Sequence, residues 1–423
     1  MKKVLIIGSG PGGYEAALHA RKEGYEVVLV EKDKIGGTCL NRGCIPTKAL
    51  VEASYLYKKA TGGKFGIKGA TFDLSEIIAY RNKTTETLRK GLEQTLVKSG
   101  VQIVKAEAQF KDGKVIVNGK EESYDYLILA TGSRPFIPPF EISTEILTSD
   151  NFTEGNFEVK DTIVVGAGVI GLEIGTALAM LGAKVTVIDI APKILPAAPA
   201  TVQSRLSAYL KKLGIKFMLN SKVEKIFEKD GKKAVALENG DVVTADQVLV
   251  AVGRKPNTEG LESLGLQIDR GFVVTDEYCK AKDNIFAIGD IATRAMLAHT
   301  ASHHAQVVID YITGKKRFKK EEFPIPQFVY TQPEAAWVGE FTGRAKKLVL
   351  GAVGKAIVDQ TEGIIEIHTD GEYVKGFVMI GYGASEIVNL ASVVITAKVT
   401  VEDIEKIIFA HPTLSEGFKM TLM

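Results

Sequence analysis

The most constraining feature of this chain is a strand, glycine turn, helix, strand and acid unit that occurs twice. Residues 4–7 and 27–30 are short Val-, Leu- and Ile-rich runs. That is the composition of parallel strands buried on both faces. Between them stand Gly8-Ser9-Gly10-Pro11-Gly12-Gly13 and a helical segment to about Lys22, and Glu31 ends the second run. Residues 162–165 and 185–188 repeat the plan around Gly166-Ala167-Gly168-Val169-Ile170-Gly171, with Asp189 at the end. The first glycine and the acid are 23 positions apart in both copies. The glycines allow a tight turn, the approach of a pyrophosphate to the backbone and close helix–strand packing. The helix start offers free N–H groups and a positive dipole end to phosphate. Glu31 and Asp189 are placed to accept from ribose hydroxyls. Two copies imply two dinucleotides, or one duplicated fold with a lost site.

A second duplicated element favours two working copies. Tyr126-Leu127-Ile128-Leu129-Ala130-Thr131-Gly132 ends the first unit, and Val248-Leu249-Val250-Ala251-Val252-Gly253 ends the second. Both read as buried strands breaking at a glycine, where a chain passes from one nucleotide domain to the next. The expected class is α/β, with two Rossmann-like dinucleotide-binding domains and a C-terminal α+β unit. Its 423 residues exceed one ordinary domain.

Composition narrows the rest. A net charge of +2 gives no reason to expect nucleic acid or an anionic membrane as partner. The first apolar run, Val4 to Ile7, ends in a glycine turn and reads as a strand and not as a secretion signal. No apolar stretch approaches the roughly 20 residues of a membrane span. Three cysteines do not make an extracellular disulfide framework. A cytoplasmic protein is the expectation. No metal site is expected either, because Cys39, Cys44 and Cys279 with the scattered histidines lack a four-ligand spacing.

Two of those cysteines form the strongest chemical signal, in Gly36-Gly37-Thr38-Cys39-Leu40-Asn41-Arg42-Gly43-Cys44-Ile45-Pro46-Thr47-Lys48. An ideal helix would set them about 7.5 Å apart along its axis and about 140° around it. Disulfide Cα atoms seldom exceed about 6.8 Å. The loop must therefore distort, and Gly43 is placed to allow it. Pro46 suits a first helical turn. Cys44 then sits near a helix start, which favours its thiolate.

This stretch resembles the redox-disulfide signature of the flavin-dependent disulfide reductases, and its wording is most similar to that of the dihydrolipoamide dehydrogenases. The resemblance covers essentially the whole chain. It implies FAD in the first unit and a nicotinamide nucleotide in the second, with 1–145 as FAD domain, 146–258 as NAD domain, 259–325 completing the FAD domain and 326–423 as dimerisation domain. Asp189 favours NAD, because a carboxylate there accepts from a free 2′-hydroxyl and repels a 2′-phosphate. By resemblance, Cys39 is the interchange thiol, Cys44 faces the flavin, and Lys48 reaches the flavin and pairs with Glu173. Asp290, in Ile288-Gly289-Asp290, matches an aspartate that contacts the ribityl chain. Met296-Leu297-Ala298-His299 resembles a flavin-contacting stretch.

Near the C-terminus stands His411-Pro412-Thr413-Leu414-Ser415-Glu416. Thiol–disulfide exchange needs a base for the attacking thiol and an acid for the leaving sulfur, and a carboxylate can hold the tautomer of a histidine doing both. The resemblance gives His411 and Glu416 these roles, acting across a homodimer on the partner's cysteines. It implies NAD-linked oxidation of dihydrolipoamide borne on a separate lipoyl-carrying protein, because no lipoyl domain precedes the first strand. An NADH-dependent reductase of another disulfide or of a quinone is the alternative. Departures are a shortened stretch after Trp337-Val338-Gly339, Phe409 and Gln332 where histidines are usual, and His303 and His304 where acids are common. These two histidines are expected on a helix surface or an interface.

Overall fold

A computed structural model describes all 423 residues. The first glycine unit folds as expected. Strand Lys3–Ile7 leads through the turn to helix α1 (Pro11–Lys22), with Pro11 at its first position, and back to strand Glu26–Glu31. Proline loses nothing there, since that N–H has no helical partner. Helices α2 (Gly37–Arg42) and α3 (Cys44–Thr61) follow, and then the long α4 (Leu74–Lys98). Asp73 caps α4 by accepting from Ser75 N–H at 2.7 Å.

The strands lie side by side in the order 280–282, 285–287, 126–129, 3–7, 26–31, 102–105. All pair in parallel except the edge strand 280–282. Strand 285–287 thus joins this sheet after the chain has built the second unit elsewhere. Such a return is geometry that local composition does not encode. It brings the Gly289–Asp290 turn beside the first glycine turn.

The second unit contains α5 (Ser149–Glu154), strand Thr162–Val165, α6 (Val169–Met180), strand Val185–Ile188 and α7 (Ala200–Leu213). Its five-stranded sheet runs 147–148, 247–250, 162–165, 185–188, 216–218, all parallel. A two-stranded antiparallel ribbon, Ser133–Pro135 with Arg254–Pro256, joins the two units where the chain crosses between them. Helix α8 (Ala298–Ile312) then packs on α1, close enough that a Cβ on Gly12 would stand 3.3 Å from Ala301 O.

The C-terminal unit is an antiparallel sheet ordered 327–329, 335–339, 374–380, 364–369, 344–349. Helix α9 (Gly354–Val358) and the longer α10 (Ala384–Thr396) accompany it. Its own core gathers Val338, Ile365, Ile367, Phe377, Met379, Val388 and Phe418. After Gly339 the chain turns at Gly343, with φ +78°, straight into the edge strand Arg344–Val349. No helix of the molecule is long and apolar enough to cross a membrane.

Candidate active site

The two glycine turns are near superposable in their constraints. Gly8 takes φ +100°, and a Cβ there would lie 2.3 Å from Ala130 O. Gly166 takes φ +117°, with Ala251 O at the same 2.3 Å. A Cβ on Gly13 would fall 1.8 Å from Gly8 O, and one on Gly171 would fall 2.2 Å from Gly166 O. Only glycine fits these four places. Gly10 and Gly168 meet nothing within 4 Å, so their backbone opens on space. They are the caps of α1 and α6, and neither helix start carries a side-chain cap or an acid in its first turn. Both ends keep N–H groups free for an anion.

The acids are tied back to these turns. Glu31 accepts from Ser9 N–H and Oγ at 2.8 and 2.6 Å and from Asp33 N–H at 2.8 Å. Asp189 accepts from Ala167 N–H at 2.6 Å and Ala191 N–H at 2.7 Å. Each carboxylate is aimed by its own loop and keeps lone pairs for a ribose.

Both turns open into one continuous cavity of about 2180 Å³. A pocket for one drug-sized ligand measures about 300–1,000 Å³, so this space suits two extended dinucleotides. Thr131, Gly132, Gly253, Asp290, Met296, Leu297, Ala298 and His299 line it, with Cys39, Cys44, Lys48 and Glu173. Gly132 at φ +68° and Gly253 at φ +127° are the breaks after the two last strands. The cradles, uncapped helix starts and acids fit FAD and NAD.

The cysteines stand where α2 ends and α3 begins. Cys39 lies in α2, Gly43 leaves helical geometry with φ −131° and ψ −112°, and Cys44 is the first residue of α3. A Cβ on Gly43 would crowd Thr38 O at 3.0 Å and Cys39 Cα at 3.3 Å, so the close return is made over a bare glycine. The two thiols are free, and the hydrogen bond between them is the first cause of both their pKa shifts. That hydrogen bond and then the nearby Lys48 ammonium lower the Cys44 pKa to about 7 against burial. The same hydrogen bond, then burial, push Cys39 up.

All three units of the fold meet at Lys48. Its Nζ is 2.7 Å from Glu173 Oε2 on α6 and 4.7 Å from the centre of the Tyr330 ring. Tyr330 N–H donates to Glu173 Oε1 at 2.9 Å. Burial opposes the ammonium, but Glu173, then Cys44 and Tyr330, hold its pKa above the ordinary lysine value. Glu173, only 3 % exposed, is a buried charge that this pairing satisfies.

Asp290 is reached by a chain of hydrogen bonds that sequence reading missed. Ser133 Oγ donates to Asp290 Oδ2 at 2.6 Å, and Arg254 Nε donates to Ser133 Oγ at 2.8 Å. Arg254 also donates to Ser133 O at 2.8 Å and pairs with Asp150 of α5 at 3.4 Å. The strand end at Gly253 is visible in the sequence, and Arg254 follows it directly. Its partners lie more than a hundred residues away.

His411 and Glu416 do not join this cluster within the protomer. They are absent from the cavity lining, and the His411 side chain is 76 % exposed. The two form a pair of their own, with Nδ1 donating to Glu416 Oε1 at 2.9 Å. Thr413 N–H and then His411 hold the Glu416 pKa down. His411 Nε2 is thereby left as the free ring acceptor. The expectation that His304 lies on a helix surface or an interface is corrected: it is 1 % exposed, because its side of α8 turns into the core around α1.

Comparison with known proteins bears on the family and the fold. Residues 2–305 match the model of the pyridine nucleotide-disulphide oxidoreductases, and residues 325–422 match the dimerisation domain of that family. A dihydrolipoyl dehydrogenase of Geobacillus stearothermophilus is 37% identical over 442 residues, covering 98% of this chain and 94% of that protein. Dihydrolipoyl dehydrogenase 3 of Haloarcula marismortui is 35% identical over 450 residues, with 98% and 94% covered. Among solved structures, LpdA of Mycobacterium tuberculosis aligns with a TM-score of 0.92 at 24% identity, covering 100% and 99%. The flavoprotein disulfide reductase RclA of Escherichia coli aligns at 0.90 and 24%, covering 99% of each chain. These two establish the fold.

Proposed function

The chain belongs to the pyridine nucleotide-disulphide oxidoreductase family, and on that premise we propose that it is an FAD- and NAD-dependent dihydrolipoyl dehydrogenase. The observation that carries this reading is the Cys39–Cys44 pair on the wall shared by both nucleotide cradles, with Cys44 at a helix start beside Lys48. The first cradle takes FAD, with Glu31 and Asp290 on its ribose and ribityl hydroxyls. The second takes NAD, with Asp189 on the adenosine ribose. Bound FAD supplies two-electron redox chemistry to the thiols, and NAD⁺ accepts the hydride.

The chain's own residues do the sulfur chemistry. In the oxidised enzyme a dihydrolipoyl thiolate attacks Cys39 Sγ, the Cys39–Cys44 bond breaks, and Cys44 leaves as a thiolate stabilised by Lys48. The second substrate thiol attacks the mixed disulfide, releasing cyclic lipoyl disulfide and the reduced pair. Of the two thiol protons one goes to solvent, and His411 Nε2, held by Glu416, takes the other and returns it to the Cys39 sulfur as that leaves the mixed disulfide. The imidazole exposed on one protomer suits a homodimer in which His411 serves the cysteines of the other. Residues 326–423 form the dimerisation unit, 1–145 with 259–325 the FAD domain and 146–258 the NAD domain. The partner is a lipoyl-carrying protein, and the compartment is the cytoplasm.

Anaerobic titration of the FAD-loaded enzyme with dihydrolipoamide tests the reading. The expected result is a long-wavelength thiolate–flavin band, followed by NADH formation when NAD⁺ is added. Turnover of glutathione disulfide, coenzyme A disulfide or a quinone with NADH, without turnover of dihydrolipoamide, overturns the substrate assignment.

A further inference from the structure

Helix α8 carries three of the chain's six histidines, and each is tied to a different segment. His299 Nε2 lies 2.9 Å from Pro326 O, and His303 Nε2 lies 3.0 Å from Lys319 O. A carbonyl can only accept, so both rings donate there. His304 does the reverse. The main-chain N–H of Gly289 donates to its Nδ1 at 3.3 Å. Its ring proton therefore sits on Nε2.

The bonded peptide is the one that presents Asp290. Gly289, at φ +67°, starts the short turn Gly289–Ile291, and Gly289 and Asp290 line the cavity while His304 does not. Ser133 Oγ holds the Asp290 carboxylate, and His304 holds the backbone one residue before it. The turn is held at two successive residues, Gly289 and Asp290. Without the ring, a buried N–H would lose its only acceptor, and that cost would fall on the turn.

We propose that His304 is a positioning residue for the flavin nucleotide: a neutral imidazole acceptor beneath Gly289 that fixes the Asp290 turn against the cavity. This rests on the FAD reading above. It also separates the three histidines by sign. Protonating His299 or His303 leaves their Nε2–H donors in place. Protonating His304 sets an N–H against the Gly289 N–H, and the contact is lost. Burial first, then the charges of His303 and of Lys320 in the segment after α8, lower its pKa to about 4. Asp290 is the charged group on the turn itself. The ring thus stays an acceptor at neutral pH.

The test compares His304→Asn, whose Oδ1 takes the place of Nδ1, with His304→Gln, whose amide reaches the place of Nε2, and His304→Leu. FAD affinity is measured by fluorescence titration of the apoprotein with FAD. At neutral pH, Leu and Gln should weaken FAD roughly 10-fold, and Asn should stay within about 2-fold of the parent. In the parent, affinity should hold until the pH approaches about 4, where the His304 ring takes a proton, and fall there. His304→Asn should lose this part of the fall. Equal affinity in the Leu variant and the parent overturns the proposal. So does equal weakening in Asn and Gln, which would mean that the ring only fills space; these two polar variants decide the matter if Leu does not fold. A parent protein that binds no FAD at all overturns the cofactor reading, and this proposal with it.

Discussion

The two glycine units share one backbone geometry but not one job. Their first glycines have φ +100° and +117°, and both meet a carbonyl at 2.3 Å if a Cβ is added. The helices after them differ. In α1 five of twelve residues are buried; in α6 nine of twelve are. One side of α1 faces solvent, whereas α6 is enclosed by α3 and the C-terminal sheet. That enclosure allows Glu173 to sit deep in α6 and still be satisfied, by Lys48 from α3 and by the Tyr330 amide. After its second strand, the first unit adds α2 and α3 with the two thiols. The nucleotide frame is common to both units; the thiols stand on one of them, and the Lys48 beside them is anchored in the other through Glu173.

The sharpest break of that comparison is Cys44→Ser. It should lower dihydrolipoamide–NAD⁺ turnover by at least about 1,000-fold, because the thiolate is the group that leaves and then reduces. Bound FAD and the circular dichroism spectrum should be unchanged.

The glycines then separate the two copies. Gly13→Ala and Gly171→Ala insert a methyl group at 1.8 and 2.2 Å from a carbonyl oxygen, and such overpacking costs about 1–3 kcal/mol. Gly13→Ala should purify with little flavin. Gly171→Ala should keep flavin and raise the KM for NAD⁺ roughly 10-fold. The same loss of flavin in both would erase the proposed division of labour.

Lys48→Met tests the bridge between them. Lys48 lowers the Cys44 pKa, which stands at about 7. Removing the cation disfavours the thiolate, so the midpoint must move up, by about one pH unit. A pH titration of the thiolate–flavin band in the two-electron-reduced enzyme reads this directly.

The smallest effect belongs to Asp189→Ser. It should reduce the preference for NAD⁺ over NADP⁺ in kcat/KM by roughly 10-fold and leave FAD untouched, since the acid serves one cradle only.

Much of this frame is legible in residue order because its signals are local. Gly8, Gly10 and Gly13 with Glu31, and their counterparts with Asp189, lie within 24 residues of one another. The cysteine pair and Pro46 lie within one turn and its helix. Other parts were hidden because they join distant segments. Arg254 bonds Ser133, 121 positions away, and Tyr330 bonds Glu173, 157 positions away. His304 looked like a polar helix residue until the core around α1 enclosed it. His411 was legible as a base with its carboxylate, but the protomer keeps it away from the thiols.

By itself the sequence determined the paired nucleotide folds, the thiol pair and the imidazole–carboxylate pair. Those depend on φ > 0 turns, short spacings and side-chain chemistry. Only the tertiary structure decided that Arg254 reaches Ser133, that the Tyr330 amide reaches Glu173, and that the Gly289 amide meets the His304 ring. Hydrogen bonds and burial act over a few ångströms of space, and chain order carries no measure of that distance until the core has formed.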